Sequence, residues 1–206
     1  MRFFCFILGE IKEIRFVKMR KLLLVLILFP LQLIAQEASN SELFWNSLKS
    51  HCGKAYEGEI VEGGKEGDGF TGEKLVMHFR VCENNIIRIP FFVGNNKSRT
   101  WVFKLNEDKF ISLKHDHRHK NGSEDKITQY GGVNPNKGLA HIQFFPADQH
   151  TASLIPYAST NVWWVTIVKT SFTYILRRVG VGRFFSVKFD LTKEINTPSA
   201  PWGSKD

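Results

Sequence analysis

Three of the seven histidines in this 206-residue chain fall in one short stretch, ISLKHDHRHKNG at 111–122, as His115, His117 and His119. Imidazole can ligate a transition metal, move a proton near neutral pH, or hydrogen-bond a polar ligand. Which of these it does here depends on where the rings point. The stretch grows out of an apolar alternation, and alternate side chains of a strand share a face. Ile111, Leu113, His115, His117 and His119 therefore fall on one face, with Ser112, Lys114, Asp116 and Arg118 on the other. The apolar start marks the core side. The imidazoles are expected to continue the inward row toward an open end of the fold.

Two histidines at i and i+2 can share one ion, since neutral imidazole suits zinc, copper, iron or nickel. A straight strand keeps the third apart, because His115 and His119 lie roughly 13 Å from each other at about 3.3 Å per residue. A transition-metal site on His115 and His117 then needs a third ligand, with His78 foremost and His141 and Glu73 also in view. Without a metal, His115, His117, His119, Tyr130 and the strand arginine Arg80 are candidate polar contacts for a small molecule. Arg88, Arg99 and Arg178 are strand arginines too. Any that points inward would suit an anionic ligand, although a solvated outer face is the ordinary place for arginine. The plainest alternative is a polar strand end in water. Lys114, Arg118 and Lys120 interleave with the histidines, and Asn121-Gly122 signals a turn. No nucleophile elbow, Gly-rich phosphate loop or HExxH motif is present, and Asp116 faces away from its histidine neighbours. Binding is favoured over catalysis.

The elements that must position these residues are nearly all strands. Leu75, Met77, Phe79 and Val81 share one face, as do Ile87, Ile89, Phe91 and Val93. Trp101, Phe103 and Leu105 alternate before the histidine strand. Residues 126–130 are expected to pair back on it across Asn121-Gly122, with Gly131-Gly132 ending that pairing. Phe172, Tyr174, Leu176 and Arg178 form another row, and Phe185, Val187, Phe189 and Leu191 a last one. Residues 145–159 carry Pro146 and Pro156 and are expected to be a loop, with a lid over a barrel mouth as one use. One short N-terminal helix is expected over 41–50, capped by Ser41. Short strands recurring every 8–12 residues with polar turns between predict an all-β fold, an antiparallel barrel of about eight to ten strands. The tail from Asn196 is expected to be irregular.

Residues 1–35 read as an address. Met19-Arg20-Lys21 precedes an apolar run, LLLVLILFPLQLI, and Ala35 offers a cleavage point, so a signal peptide starting at Met19 is expected. The remaining 36–206 form a single domain in a secreted or periplasmic protein. No cysteine stands at the cleavage point, which speaks against a lipid anchor. The leader carries six of the 28 Lys and Arg and two of the 20 Asp and Glu, leaving +4 in place of +8. That charge is ordinary for a soluble domain and gives no reason to expect nucleic acid as a partner. A small-molecule ligand, a monomer and no transmembrane domain in the mature chain are expected. Cys5 leaves with the leader. Cys52 and Cys82 remain as a pair suited to a disulfide in an oxidising compartment.

The short leading helix, the run of antiparallel strands and a closing strand RFFSVKFDLT resemble the lipocalin-like (calycin) barrels in layout. Tyr56 stands where those families place an aromatic in a Gly-x-Trp motif, one residue out of register from Gly53. LKHDHRHKNG, YGG, FFPADQ and PWG also resemble segments of a group of secreted bacterial proteins, a likeness that carries no activity with it. Barrels of this size can enclose one small ligand. Three functions follow: a binding protein holding a small hydrophobic ligand behind a histidine-lined mouth, a metal-binding protein or metal-dependent enzyme on His115 and His117, or an envelope structural or interaction protein with no internal site.

Overall fold

The structure, a computed structural model, describes residues 37–205. The expected signal peptide, the start at Met19, the cleavage near Ala35 and Cys5 lie outside the described residues. Eleven strands follow one another: β1 (Ala55–Glu62), β2 (Leu75–His78), β3 (Val81–Cys82), β4 (Ile86–Val93), β5 (Asn96–Leu105), β6 (Ile111–His117), β7 (Tyr130–Val133), β8 (Ile142–Pro146), β9 (Asn161–Val168), β10 (Ser171–Arg178) and β11 (Phe184–Ile195). Ten pair in the order β7-β6-β5-β4-β2-β1-β11-β10-β9-β8, with β3 added against β4. The result is the expected all-β antiparallel barrel, nearly closed.

Closure happens where β7 meets β8, through one backbone bond and two bonds made by the Thr151 hydroxyl. The Asp148 N–H donates to the Gly131 carbonyl at 2.9 Å. The Gly131 N–H donates to Thr151 Oγ1 at 2.7 Å, and that hydroxyl donates back to the Gly131 carbonyl at 2.8 Å. Both partners belong to helix α2 (Gln149–Leu154) or to its N-cap, Asp148. Residues 145–159 are thus not a plain loop. They hold α2 and a 3-10 turn, Pro156–Ala158, and they latch the seam. Gly131 and Gly132 sit inside β7, where the end of the pairing was expected, because the backbones approach too closely for a side chain. A Cβ on Gly132 would lie 1.8 Å from the Pro146 carbonyl oxygen, and one on Gly131 1.9 Å from that of Leu113. Pairing with β6 accordingly starts at Tyr130, opposite His115, and not along 126–130.

The alternating rows face inward as expected: Ile87, Ile89, Phe91 and Val93 are buried, as are Trp101, Phe103, Ile111, Leu113, Phe172, Phe185, Val187 and Phe189. Trp101 stands at the centre of the interior. It stacks on Phe91 at 4.8 Å and on Tyr174 at 4.5 Å, with Phe172 and Phe189 beyond at 6.0 and 6.2 Å. Offset and edge-on aromatic contacts of this kind fill the barrel's waist.

Helix α1 (Asn40–Lys49) is tied to the end where β5 turns into β6. Its cap is Ser39, not Ser41. Ser39 and Glu42 form a reciprocal capping box, which satisfies N–H groups the first turn leaves open. Ser41 lies two residues past the cap and donates to the Lys109 carbonyl at 2.6 Å. Phe44, Trp45 and Leu48 join the core from the helix. The Cys52–Cys82 disulfide, with Cα atoms 6.0 Å apart, fastens the segment after α1 to β3. The tail beyond β11 is irregular, as expected. It crosses the outside of the barrel, with the Trp202 N–H on the Lys97 carbonyl and Arg80 donating to the Lys205 carbonyl. Among the described residues no helix is long and apolar enough to cross a membrane.

Candidate functional site

At the end opposite α1 the interior opens into a cavity of about 220 Å³. Its position follows from strand direction. β6 runs toward this end and carries His115 then His117, β5 leaves it through Arg99 and Trp101, and β10 arrives with Tyr174, Leu176 and Arg178. The α2 segment adds Ile155, Tyr157 and Ala158 to the wall. The glycine-rich loop at 63–72 sends one aromatic over the rim: Phe70 lies 5.0 Å from Phe185 and 6.2 Å from Phe91. Asp68 sets that loop by accepting the backbone N–H groups of Lys65, Phe70 and Thr71.

His115 is 4 % exposed and forms part of the inner wall. Its Nδ1 lies 3.1 Å from the Tyr130 carbonyl oxygen, which can only accept, so Nδ1 carries the proton. Nε2 then accepts from the Tyr174 hydroxyl at 2.8 Å. The ring stacks on Tyr130 at 4.6 Å and leans on Trp163 at 5.1 Å. Burial pulls its pKa down to about 3, so the ring is neutral at pH 7. His117 sits one step nearer the mouth, with Nε2 3.1 Å from the Tyr130 hydroxyl. Burial, with help from the Arg99 cation, lowers it to about 4. Burial also pushes the Tyr130 phenol up to about 12 and the Tyr174 phenol well above its ordinary value. Both phenols keep their protons, and the wall carries hydroxyls and imidazoles with no charge.

The charge comes from arginine. Arg99 faces inward on the same side of β5 as Trp101 and pairs across the ladder with His117. Its guanidinium carbon stands 4.9 Å over the Phe70 ring, and its Nη1 is buried with no hydrogen-bond partner. Arg178 and Arg183 line the mouth. Arg178 is held by Asn161 Oδ1 at 2.9 Å and by the Tyr157 ring at 4.8 Å.

Of the residues singled out from sequence, His115, His117 and Tyr130 come together on this cavity. His119 does not. β6 ends at His117, the chain turns through an Arg118–Glu124 bridge, and the His119 side chain is 55 % exposed near Asp125. Arg80 lies outside the barrel under the C-terminal tail, because β2 breaks off before it. His78 is buried on β2 away from the cavity, and His141 and Glu73 are exposed. Among the described residues no group of three or more His, Cys, Asp or Glu side chains is placed to hold a metal ion. The expected set of His115, His117 and His78 does not assemble, and His115 has both nitrogens in use.

Sequence reasoning named Arg99 only as one of four strand arginines, put Arg80 before it, and passed over Phe70. Arg99 was legible, since it shares the parity of Trp101 and Phe103. Phe70 gave one weak signal, a lone aromatic in a glycine-rich polar loop. No protein-family model, no curated protein and no solved structure matches this chain.

Proposed function

We propose that this protein is an exported binding barrel of lipocalin-like layout that holds one compact small molecule in the cavity at its open end. One observation carries the reading: buried rings fill the waist around Trp101, and beside Trp101 and Tyr174 the interior opens into a space of about 220 Å³. Drug-sized ligands use about 300–1,000 Å³, so the occupant is small, on the scale of one or two fused rings. The space equals that of about seven liquid waters. Eight of the lining residues are Phe, Trp or Tyr, beside three Arg, two His, one Asn and one Thr, a mixture that favours an apolar body held by directed polar contacts.

The wall chemistry supports binding over turnover. The lining holds no carboxylate, cysteine, serine or lysine, and burial moves its histidines and Tyr130 away from the neutral pH at which a general acid or base works best. His115 is fully engaged with its neighbours. Export is inferred from the basic and apolar leader, and a disulfide accords with an oxidising compartment.

The test titrates the protein with 2-naphthoate, 2-naphthamide and 2-naphthylmethylamine while following tryptophan fluorescence, since Trp101 and Trp163 line the cavity. Saturable change with at least one compound is expected, and its loss in Leu176→Trp, which fills the space. If none of the three binds, the cavity is not a ligand site of this size.

A further inference from the structure

We infer that the ligand of this cavity is an anion, a compact aromatic or apolar carboxylate whose charged end seats on Arg99. The inference rests on the cavity being a binding site and adds the chemical class of its occupant.

Three observations converge. First, Arg99 Nη1 is shut off from solvent and donates to nothing. A buried donor on a cation without a partner is unfavourable. Its neighbours are a phenyl face and neutral polar rings, and no ion pair reaches it among the described residues. Second, every acid near the cavity is committed elsewhere. Asp116 lies on the outer face of β6 with Arg118 at 2.9 Å, and Asp125 accepts the Ile127 N–H at 2.9 Å beside His119. Third, the mouth adds Arg178 and Arg183, while burial keeps His115 and His117 neutral and leaves the phenols protonated. The cavity therefore holds a net positive charge with no counter-charge of its own.

A guanidinium offers planar paired donors that match a carboxylate. The Tyr130 hydroxyl lines the same cavity. When His117 Nε2 donates to that oxygen, the phenolic O–H is released as a second donor toward the ligand. The aromatic walls then take the apolar body. A neutral ligand of the same shape would leave Arg99 as unpaired as it is now, and a cationic one would meet its repulsion.

The experiment compares 2-naphthoate with 2-naphthamide, which share size and shape and differ in charge. Naphthoate is expected to bind at least about tenfold more tightly at low salt, the scale of a charged hydrogen bond. Arg99→Gln should erase that preference by weakening naphthoate and should leave naphthamide unchanged. Arg183→Gln, at the mouth and clear of the buried ring stack, should reduce the preference by about threefold, in line with a partly screened charge. Arg99→Met should raise the unfolding temperature of the ligand-free protein, because it removes an unpaired buried donor. An arginine with a merely structural role would lower it. Equal affinity for both probes, or a preference that survives Arg99→Gln, overturns the inference and leaves the binding site standing. Binding of 2-naphthylmethylamine alone overturns the inference and leaves the binding site standing, and binding of none of the three compounds takes away both. Should Arg99→Gln fail to fold, the wild-type preference together with Arg183→Gln decides.

Discussion

Replacing His115 with glutamine should take away much of the protein's sensitivity to mild acid. His115 is 4 % exposed and both ring nitrogens are engaged, Nδ1 with the Tyr130 carbonyl and Nε2 with the Tyr174 hydroxyl. Protonation must turn the Tyr174 hydroxyl from donor to acceptor at Nε2 and place a cation among Tyr130, Trp163 and Tyr174. Burial thus lowers the pKa from 6.5 to about 3 in the folded state. A folded pKa below the unfolded one means the unfolded chain binds the proton first as pH falls. The stabilisation is complete above pH 6.5 and is lost progressively down to about pH 3. Between pH 7 and 4.5 nearly two pH units of this window are crossed, at about 1.4 kcal/mol each, so His115 alone removes about 2–3 kcal/mol. The assay is urea unfolding of wild type and His115→Gln at both pH values, with the disulfide intact. The variant should be less stable at pH 7, where it loses the ring stack. Its drop on acidification should be smaller than that of wild type by about 2–3 kcal/mol. His117 and the carboxylates titrate in both proteins and cancel in the comparison. Equal acid losses in the two would refute a buried, neutral His115.

Two further perturbations test the scaffold. Gly132→Ala forces a Cβ against the Pro146 carbonyl and should open the β7–β8 seam, lowering stability in thermal unfolding by about 2–3 kcal/mol or more, as overpacking does. Gly180→Ala is the control: its φ is 87° with nothing within 4 Å of a new Cβ, so only the turn strain of about 1 kcal/mol should appear. Reducing Cys52–Cys82, which closes a loop of 30 residues, should lower stability by up to about 3–4 kcal/mol in the chain-entropy model. A denaturation midpoint unchanged by reductant would show that α1 and β3 hold each other without it.

Period two makes most of the barrel legible in the sequence. Rows such as Ile87, Ile89, Phe91 and Val93 or Phe185, Val187 and Phe189 land on the core face because each is bounded by turns and stays regular between them. The same rule placed His115 and His117 inside, then failed at His119, where the strand had already ended. Periodicity carries no information about where pairing stops. Glycine misled in a different way. Gly131-Gly132 is chemically indistinguishable from a turn signal, yet here the missing side chains serve close backbone approach between β6 and β8, a demand set by the closing seam and invisible locally. Pro146 and Pro156 likewise masked α2, although Asp148 stands at its cap three residues before Thr151. Ser39 and Ser41 were equivalent caps by type. Glu42, three residues after Ser39, completes the box and breaks the tie.

The division of labour between histidine and arginine in the cavity follows from a single physical fact. Withdrawal from water penalises a charged form in proportion to how easily it can be given up. An imidazole sheds its proton near neutrality, so the enclosed wall converts His115 and His117 into uncharged rings whose work is hydrogen bonding and stacking. A guanidinium under the same pressure is pulled down from its ordinary value but stays protonated, because its pKa starts so high. Arg99 thus brings a lasting positive charge in beside the aromatic wall, with Arg178 and Arg183 at the mouth. The histidines that first draw the eye set the shape and hold Tyr130, and through it the β6–β7 backbone, in register. The selectivity for charge lies one strand over.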